Sequence, residues 1–169
     1  MTSSDNENRR ILEEAAKSSS VETIEALLDQ VPALEGSEQL VLESAAASGN
    51  IAVFQYLLKR NVSIDVKSQS LRVKAICGGV EIWKVLLEHN HDMINWVFGH
   101  VADLIGMVVK QGDVSLLAFL LSEGADIEHS HYCYMPVLPF AKAEGASQET
   151  IDLLIRYGAT MKSSVWDPS

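Results

Sequence analysis

The sequence predicts an all-α fold of stacked helix–turn–helix units. Three observations lead there. A leucine doublet recurs along the chain, small residues recur at fixed distances before each doublet, and 47% of the 169 residues are hydrophobic, enough for a packed core. The doublets are Leu27-Leu28, Leu57-Leu58, Leu86-Leu87, Leu120-Leu121 and Leu154-Ile155, whose first members lie 30, 29, 34 and 34 residues apart.

Further columns align on that ruler. Eight residues before the doublet stand Ser19, Gly49, Gly78, Gly112 and Ala146. Eleven before it stand Ala16, Ala46, Ala75, Val109 and Ala143. Three before it stand Ile24, Phe54, Trp83, Leu117 and Ile151, and seven after it Leu34, Ile64, Met93, Ile127 and Met161. Apolar residues such as Val80, Trp83, Leu86 and Leu87 form the stripe of one helix. The alanine column sits on an earlier, shorter helix, where small side chains let two antiparallel helices approach. The glycine or serine column is the turn between them. One such hairpin cannot bury its own apolar face, so it must stack on neighbours.

The unit resembles the ankyrin repeat, a β-turn plus two helices in about 33 residues. SAAASGNIAVFQYLLKRNVSID, LLAFLLSEGADIEH and ETIDLLIRYGAT carry the resemblance most closely, with GAD or GAT closing a leucine-rich helix. It implies an ankyrin-repeat solenoid of about five repeats with short β-turn fingers, spanning 9–36, 37–67, 68–98, 99–132 and 133–162, with tails at 1–8 and 163–169. No copy keeps the family's Thr-Pro-Leu-His opening; those places read RILE, LVLE, QSLR, DLIG and VLPF. The first helices therefore need other caps, for which Ser37, Ser68 and Asp103 are the candidates.

The unequal spacings place the fingers. Repeats 30 and 29 residues long lack room for a projecting turn, whereas the 34-residue spacings leave room at 95–102 and 128–136. The resemblance implies a concave binding face made of fingers and first helices. On this chain the face would include Trp96, Phe98, His100, His129, His131, Tyr132 and Tyr134, with Ile76, Cys77, Lys110, Gln111 and Glu144 on the helices. Four of the eleven aromatic residues fall in these two fingers, where polar turn residues would be ordinary. Trp96 and Phe98 either project as anchors or fold back into the core; both readings stay open. Tyr132 and Tyr134 alternate as on a strand, which points both to one side.

The function expected from the resemblance is protein–protein interaction. The alternative is a small-molecule binder, or a cofactor-independent isomerase or cyclase, with a pocket between the fingers. Its acid–base candidates are His100, Asp103, Tyr132, Tyr134 and Glu144. No phosphate-binding glycine loop, nucleophile elbow or His-Glu-x-x-His is present, so no cofactor is expected. The tract His129-Ser130-His131-Tyr132-Cys133 lacks the four well-spaced ligands of a zinc site, so no metal is expected either.

A formal net charge of −10, from 13 basic and 23 acidic residues, argues against nucleic acid or an anionic membrane as partner. Cys77 and Cys133 give no disulfide framework, which suits a reducing intracellular setting, cytoplasmic or nuclear. The N-terminus lacks the apolar stretch of a secretory signal, and the apolar run 101–109, broken by Asp103, is too short to cross a bilayer.

Overall fold

The computed structural model describes residues 3–30, 36–64, 69–99 and 101–161. They form an all-α helical repeat, grouped into two compact units, Met1–Val85 and Leu86–Ser169.

The first unit holds α1 (Ser3–Ser18), α2 (Val21–Gln30), α3 (Ser37–Ser48), α4 (Ile51–Lys59), α5 (Gln69–Cys77) and the start of α6 (Gly79–His89). The first helices of the hairpins pack in series, α1 on α3 and α3 on α5, and α2 packs on α4. Ala16, Ala45, Ala46 and Ala75 are fully buried between them, as the alanine column requires. The second helices supply the bulk, with Ile24, Phe54, Leu57 and Trp83 at 0% exposure. Gly49 ends α3 at φ 71°, its N–H reaching the carbonyls of Ala45 and Ala46. Asn50 then caps α4 by accepting from the Val53 N–H, while its Nδ2 donates to the carbonyls of Ala16 and Ser19. One side chain thus joins the turns of two successive hairpins. At Gly78 a Cβ would lie 1.9 Å from the Ala46 carbonyl oxygen, so a side chain there would force the packed turns apart.

The second unit holds the end of α6, a single 3-10 turn at His91–Asn95, β1 (Val97–Phe98), β2 (Ala102–Asp103), α7 (Leu104–Gln111), α8 (Val114–Ser122), β3 (His131–Tyr132), β4 (Met135–Pro136), α9 (Val137–Ala143) and α10 (Gln148–Arg156). The four short strands make one antiparallel sheet in chain order. Each helix hairpin packs internally, α7 on α8 and α9 on α10; between hairpins, α7 packs on α9 and α8 on α10. Asp103, Asp113 and Ser147 cap α7, α8 and α10 with side-chain oxygens. The core carries Leu86, Met93, Val108, Leu116, Leu120 and Leu154, all at 0% exposure.

Several expectations are corrected. The stretch 1–8 is not a tail throughout: α1 begins at Ser3, and Glu7 pairs with Arg10 one turn later. Ser37 does not cap α3; it is the first helical residue, and Gly36 at φ 80° holds the cap position without a side-chain acceptor. Ser68, Leu34 and the 163–169 tail lie outside the described residues. Ala143 is exposed, and Ala141 is the buried small residue of the last repeat. An extra residue in the last inter-helix turn shifts the column by one, onto Lys142: Gly112 is separated from α8 by Asp113 alone, Gly145 from α10 by Ala146 and Ser147, and Ala141 then corresponds to the buried Ala45 of the second repeat. Leu27 and Ile127 are only half-buried, and Met161 is 57% exposed.

Candidate functional site

Both long spacings fold into β-hairpins. In the first, Val97 pairs with Asp103 and Phe98 with Ala102. The Val101 N–H closes the turn on the Phe98 carbonyl, and Gly99 supplies the positive φ (62°) that such turns need. In the second, His131 pairs with Pro136 and Tyr132 with Met135. Its two central residues, Cys133 and Tyr134, both have positive φ (48° and 64°) although neither is glycine. That pattern matches a type I′ turn, which ordinarily takes Asn-Gly. The hairpins are joined by the Ala102–Tyr132 pair and by the Cys133 N–H donating to the Val101 carbonyl.

Asp103 stands where the hairpins meet. Its Oδ1 accepts from the Gly106 N–H at 2.7 Å and from Ser130 Oγ at 3.0 Å, and its Oδ2 from the His131 N–H at 2.8 Å. His131 Nδ1 lies 3.5 Å from the same Oδ2. Burial pushes the Asp103 carboxyl above its usual range, against the opposing pull of these hydrogen bonds. Gly106 makes the close approach possible, since a Cβ there would sit 2.1 Å from the His131 carbonyl oxygen. This glycine ends the DLIG copy, in the place where the ankyrin opening has histidine.

Between the hairpin bases lies a cleft of about 190 Å³. Its apolar walls are Ile94, Val97, Leu104 and Ile105; its polar lining is Asn95, Asp103, Asp126, His129, Ser130 and His131. Asp126 organises the rim. Its N–H donates to Asn95 Oδ1 at 2.9 Å, its Oδ1 accepts from the N–H groups of Glu128 and His129, and its Oδ2 meets His129 Nδ1 at 2.8 Å. Slight burial raises the Asp126 carboxyl, but the bonds and charge of His129 outweigh it and leave the group below the usual range. The hydrogen bond and charge of Asp126 in turn hold the His129 imidazole above its ordinary value.

The candidate residues are scattered more widely than the sequence reading expects. Trp96 is 8% exposed and Ile76 3%; both are core. Phe98 is half-buried. Tyr132 stacks on Phe140 (ring centroids 4.4 Å apart, planes at 18°), whereas Tyr134 is 63% exposed. The tyrosines do not alternate on one strand, because the chain reverses at Cys133 and Tyr134. His100 lies outside the described residues. Lys110 and Glu144 form an ion pair between α7 and the end of α9, with Gln111 exposed beside them and Cys77 exposed on α5. Among the described acid–base candidates, Asp103 alone lines the cleft, so the arrangement lends no support to the isomerase or cyclase reading. The cleft is also smaller than pockets that enclose drug-sized ligands, which run to about 300 Å³ and above. Among the described residues no group of three or more His, Cys, Asp or Glu is placed to hold a metal ion, and no helix is long and apolar enough to cross a membrane. Val97 and Val101 (each 50% exposed) and Met135 (41%), all on the hairpins, and the rim residues Asn95 and Asp126 carry no signal in the sequence that singles them out.

No family model matches the chain. The fowlpox virus (strain NVSL) protein named "Putative ankyrin repeat protein FPV242" is 33% identical over 106 residues, which are 62% of this chain and 28% of that protein. The chain therefore spans little more than a quarter of the length of this relative. The likeness and the helical architecture together make the fold an ankyrin-like helical repeat.

Proposed function

We propose that the chain is a protein-binding module and that its second unit grips the partner with the two hairpins and the exposed ends of α7 and α9. One observation carries the reading: Val97, Val101, Tyr134 and Met135, large apolar side chains 41–63% exposed, are gathered on two adjoining hairpins. Apolar side chains exposed together on a surface rimmed by polar groups mark interaction sites. Tyr134 occupies a left-handed conformation that costs a non-glycine residue roughly 1–2 kcal/mol, and strain of this kind gathers at functional positions. The ankyrin-like fold points the same way, by analogy of fold. The net charge of −10 argues against nucleic acid and anionic membranes as partners. The exposed thiols of Cys77 and Cys133 suit a reducing intracellular compartment, cytoplasm or nucleus.

The test is selection of displayed protein fragments on the wild-type chain, followed by rescreening. Binders should lose affinity for Tyr134→Ser/Met135→Ser and keep it for Tyr157→Ser, an exposed aromatic beyond α10. Binders that ignore the hairpin substitutions would place the site elsewhere.

A further inference from the structure

The charge around the hairpins is one-sided. Between Lys84 and Lys142 the sequence holds a single Lys or Arg, Lys110, against seven carboxylates. Lys110 is engaged with Glu144 and does not line the cleft. The cleft itself combines apolar walls from Val97, Leu104 and Ile105 with the carboxylates of Asp103 and Asp126. Asp103 spends its oxygens on three internal hydrogen bonds. Asp126 likewise has three internal partners, the Glu128 and His129 N–H groups and the His129 ring, but its side chain is 46% exposed at the rim, where an incoming cation can reach it.

We infer that the partner presents an arginine or lysine from an apolar stretch of chain, and that the cleft between the hairpins receives this side chain. The inference rests on the finger reading above and names the chemistry of its partner. An arginine or lysine has a methylene stem suited to apolar walls and a charged head that stays near solvent at the mouth. Asp126 meets that head, and the apolar neighbours of the basic residue cover Val101, Tyr134 and Met135. An acidic segment would face Asp103 and Asp126 with like charge. A purely apolar side chain would strip water from the polar rim without replacing its hydrogen bonds. A second copy of this chain would bring its own charge of −10 to an already acidic surface. The basic groups lining the cleft are the imidazoles of His129 and His131. His129 is turned onto Asp126, so a guest cation shares that carboxylate with it.

The experiment measures binding of three synthetic peptides to the full chain by fluorescence anisotropy. They share one apolar sequence and differ at a central residue: arginine, its neutral isostere citrulline, or glutamate. The arginine peptide should bind about tenfold tighter than the citrulline peptide, the scale of one partly desolvated charge pair. The glutamate peptide should bind weakest. Asp126→Asn keeps the turn-forming carbonyl and should erase most of the arginine preference; Asp152→Asn, an exposed acid on α10, should leave it intact. Equal affinity for arginine and citrulline peptides, a preference unchanged in Asp126→Asn, or no arginine-peptide binding up to about millimolar concentration would each overturn the inference. The finger reading fails separately. If Tyr134→Ser/Met135→Ser binds every peptide as the wild type does, the hairpins are not the surface. If that variant loses all peptides while arginine and citrulline remain equal, the hairpins bind but the cation is irrelevant.

Discussion

Gly106→Ala tests the joint between the hairpins. An alanine is ordinarily favourable inside a helix, worth about 1 kcal/mol over glycine. Here its Cβ would lie 2.1 Å from the His131 carbonyl oxygen and 2.9 Å from its carbonyl carbon, where ordinary contact begins near 3.4 Å. The obstacle is backbone, so no rotamer change relieves it. The hairpin must retreat by about 1 Å or more, an overpacking strain of roughly 1–3 kcal/mol. Retreat also lengthens the bonds from the His131 N–H and Ser130 Oγ to Asp103. Hydrogen bonds to a charged acceptor contribute about 1.5–3 kcal/mol each. If stretching rather than breaking these two bonds forfeits about 2 kcal/mol in all, the net loss after the helix gain of about 1 kcal/mol is about 2–4 kcal/mol, or a fall in melting temperature of roughly 5–15 °C for a chain of this size. Gly112→Ala is the control: its φ of 83° carries strain, but a Cβ there meets nothing within 4 Å, so the cost stays near 1–2 kcal/mol. Thermal and urea melts of both variants decide the matter. A Gly106→Ala protein melting at or above the wild type, or above Gly112→Ala, would refute the close approach.

Four further outcomes are expected. Trp96→Ala should destabilise the protein by about 3–5 kcal/mol in a urea melt, because the ring is core; loss of binding without loss of stability would contradict its burial. Tyr134→Gly should raise stability by about 1 kcal/mol, by relieving a left-handed residue, while weakening binding at the hairpins; a lower melting temperature would show that the turn is not strained. Because burial raises the Asp103 carboxyl, its titration favours the fold below the ordinary carboxyl value, and that contribution is lost as pH rises through the raised value. Urea melts of Asp103→Asn against wild type should therefore show the variant's deficit shrinking from acid to neutral pH; a widening deficit would reverse the sign. The imidazole of His129 should titrate above free histidine by NMR and return to the ordinary value in Asp126→Asn, and an unshifted wild-type resonance would deny the pair.

The helical repeat was legible because it is written in burial, and burial is periodic. Ile24, Phe54, Trp83, Leu117 and Ile151 form one column in the sequence and are all buried in the structure. The column ruler failed where a turn changes length: one added residue before α10 moves the column from Ala143 to Lys142, and the buried small residue is its neighbour Ala141, the counterpart of Ala45. Doublet spacing measures only the distance between second helices, so it cannot say in which turn an extra residue falls. The hairpins were legible from length alone. Their strand pairing and the left-handed turn at Cys133 and Tyr134 were not, because nothing in Cys-Tyr signals a turn that usually takes Asn-Gly.

The site was read less well, and Trp96 shows why. A large ring in a predicted finger suggested an exposed anchor, yet the 3-10 turn at His91–Asn95 leads it inward while its backbone receives the Leu104 N–H. A two-stranded hairpin this short has almost no core of its own, so its largest aromatic at the base is drawn into the nearest apolar environment. Exposure then passes to Val97, Val101 and Met135, which attract no notice in a sequence because exposed aliphatic residues are common singly and informative only when neighbours. The charge signal was visible throughout, as the near absence of Lys and Arg between Lys84 and Lys142. Net charge hid it by averaging over the chain. Asp126 acquires meaning only beside Asn95, a residue 31 positions away whose side chain accepts its N–H. What turns scattered carboxylates into an acidic mouth is the return of the second hairpin onto the first, and that return depends on a glycine at position 106 with no side chain to block it.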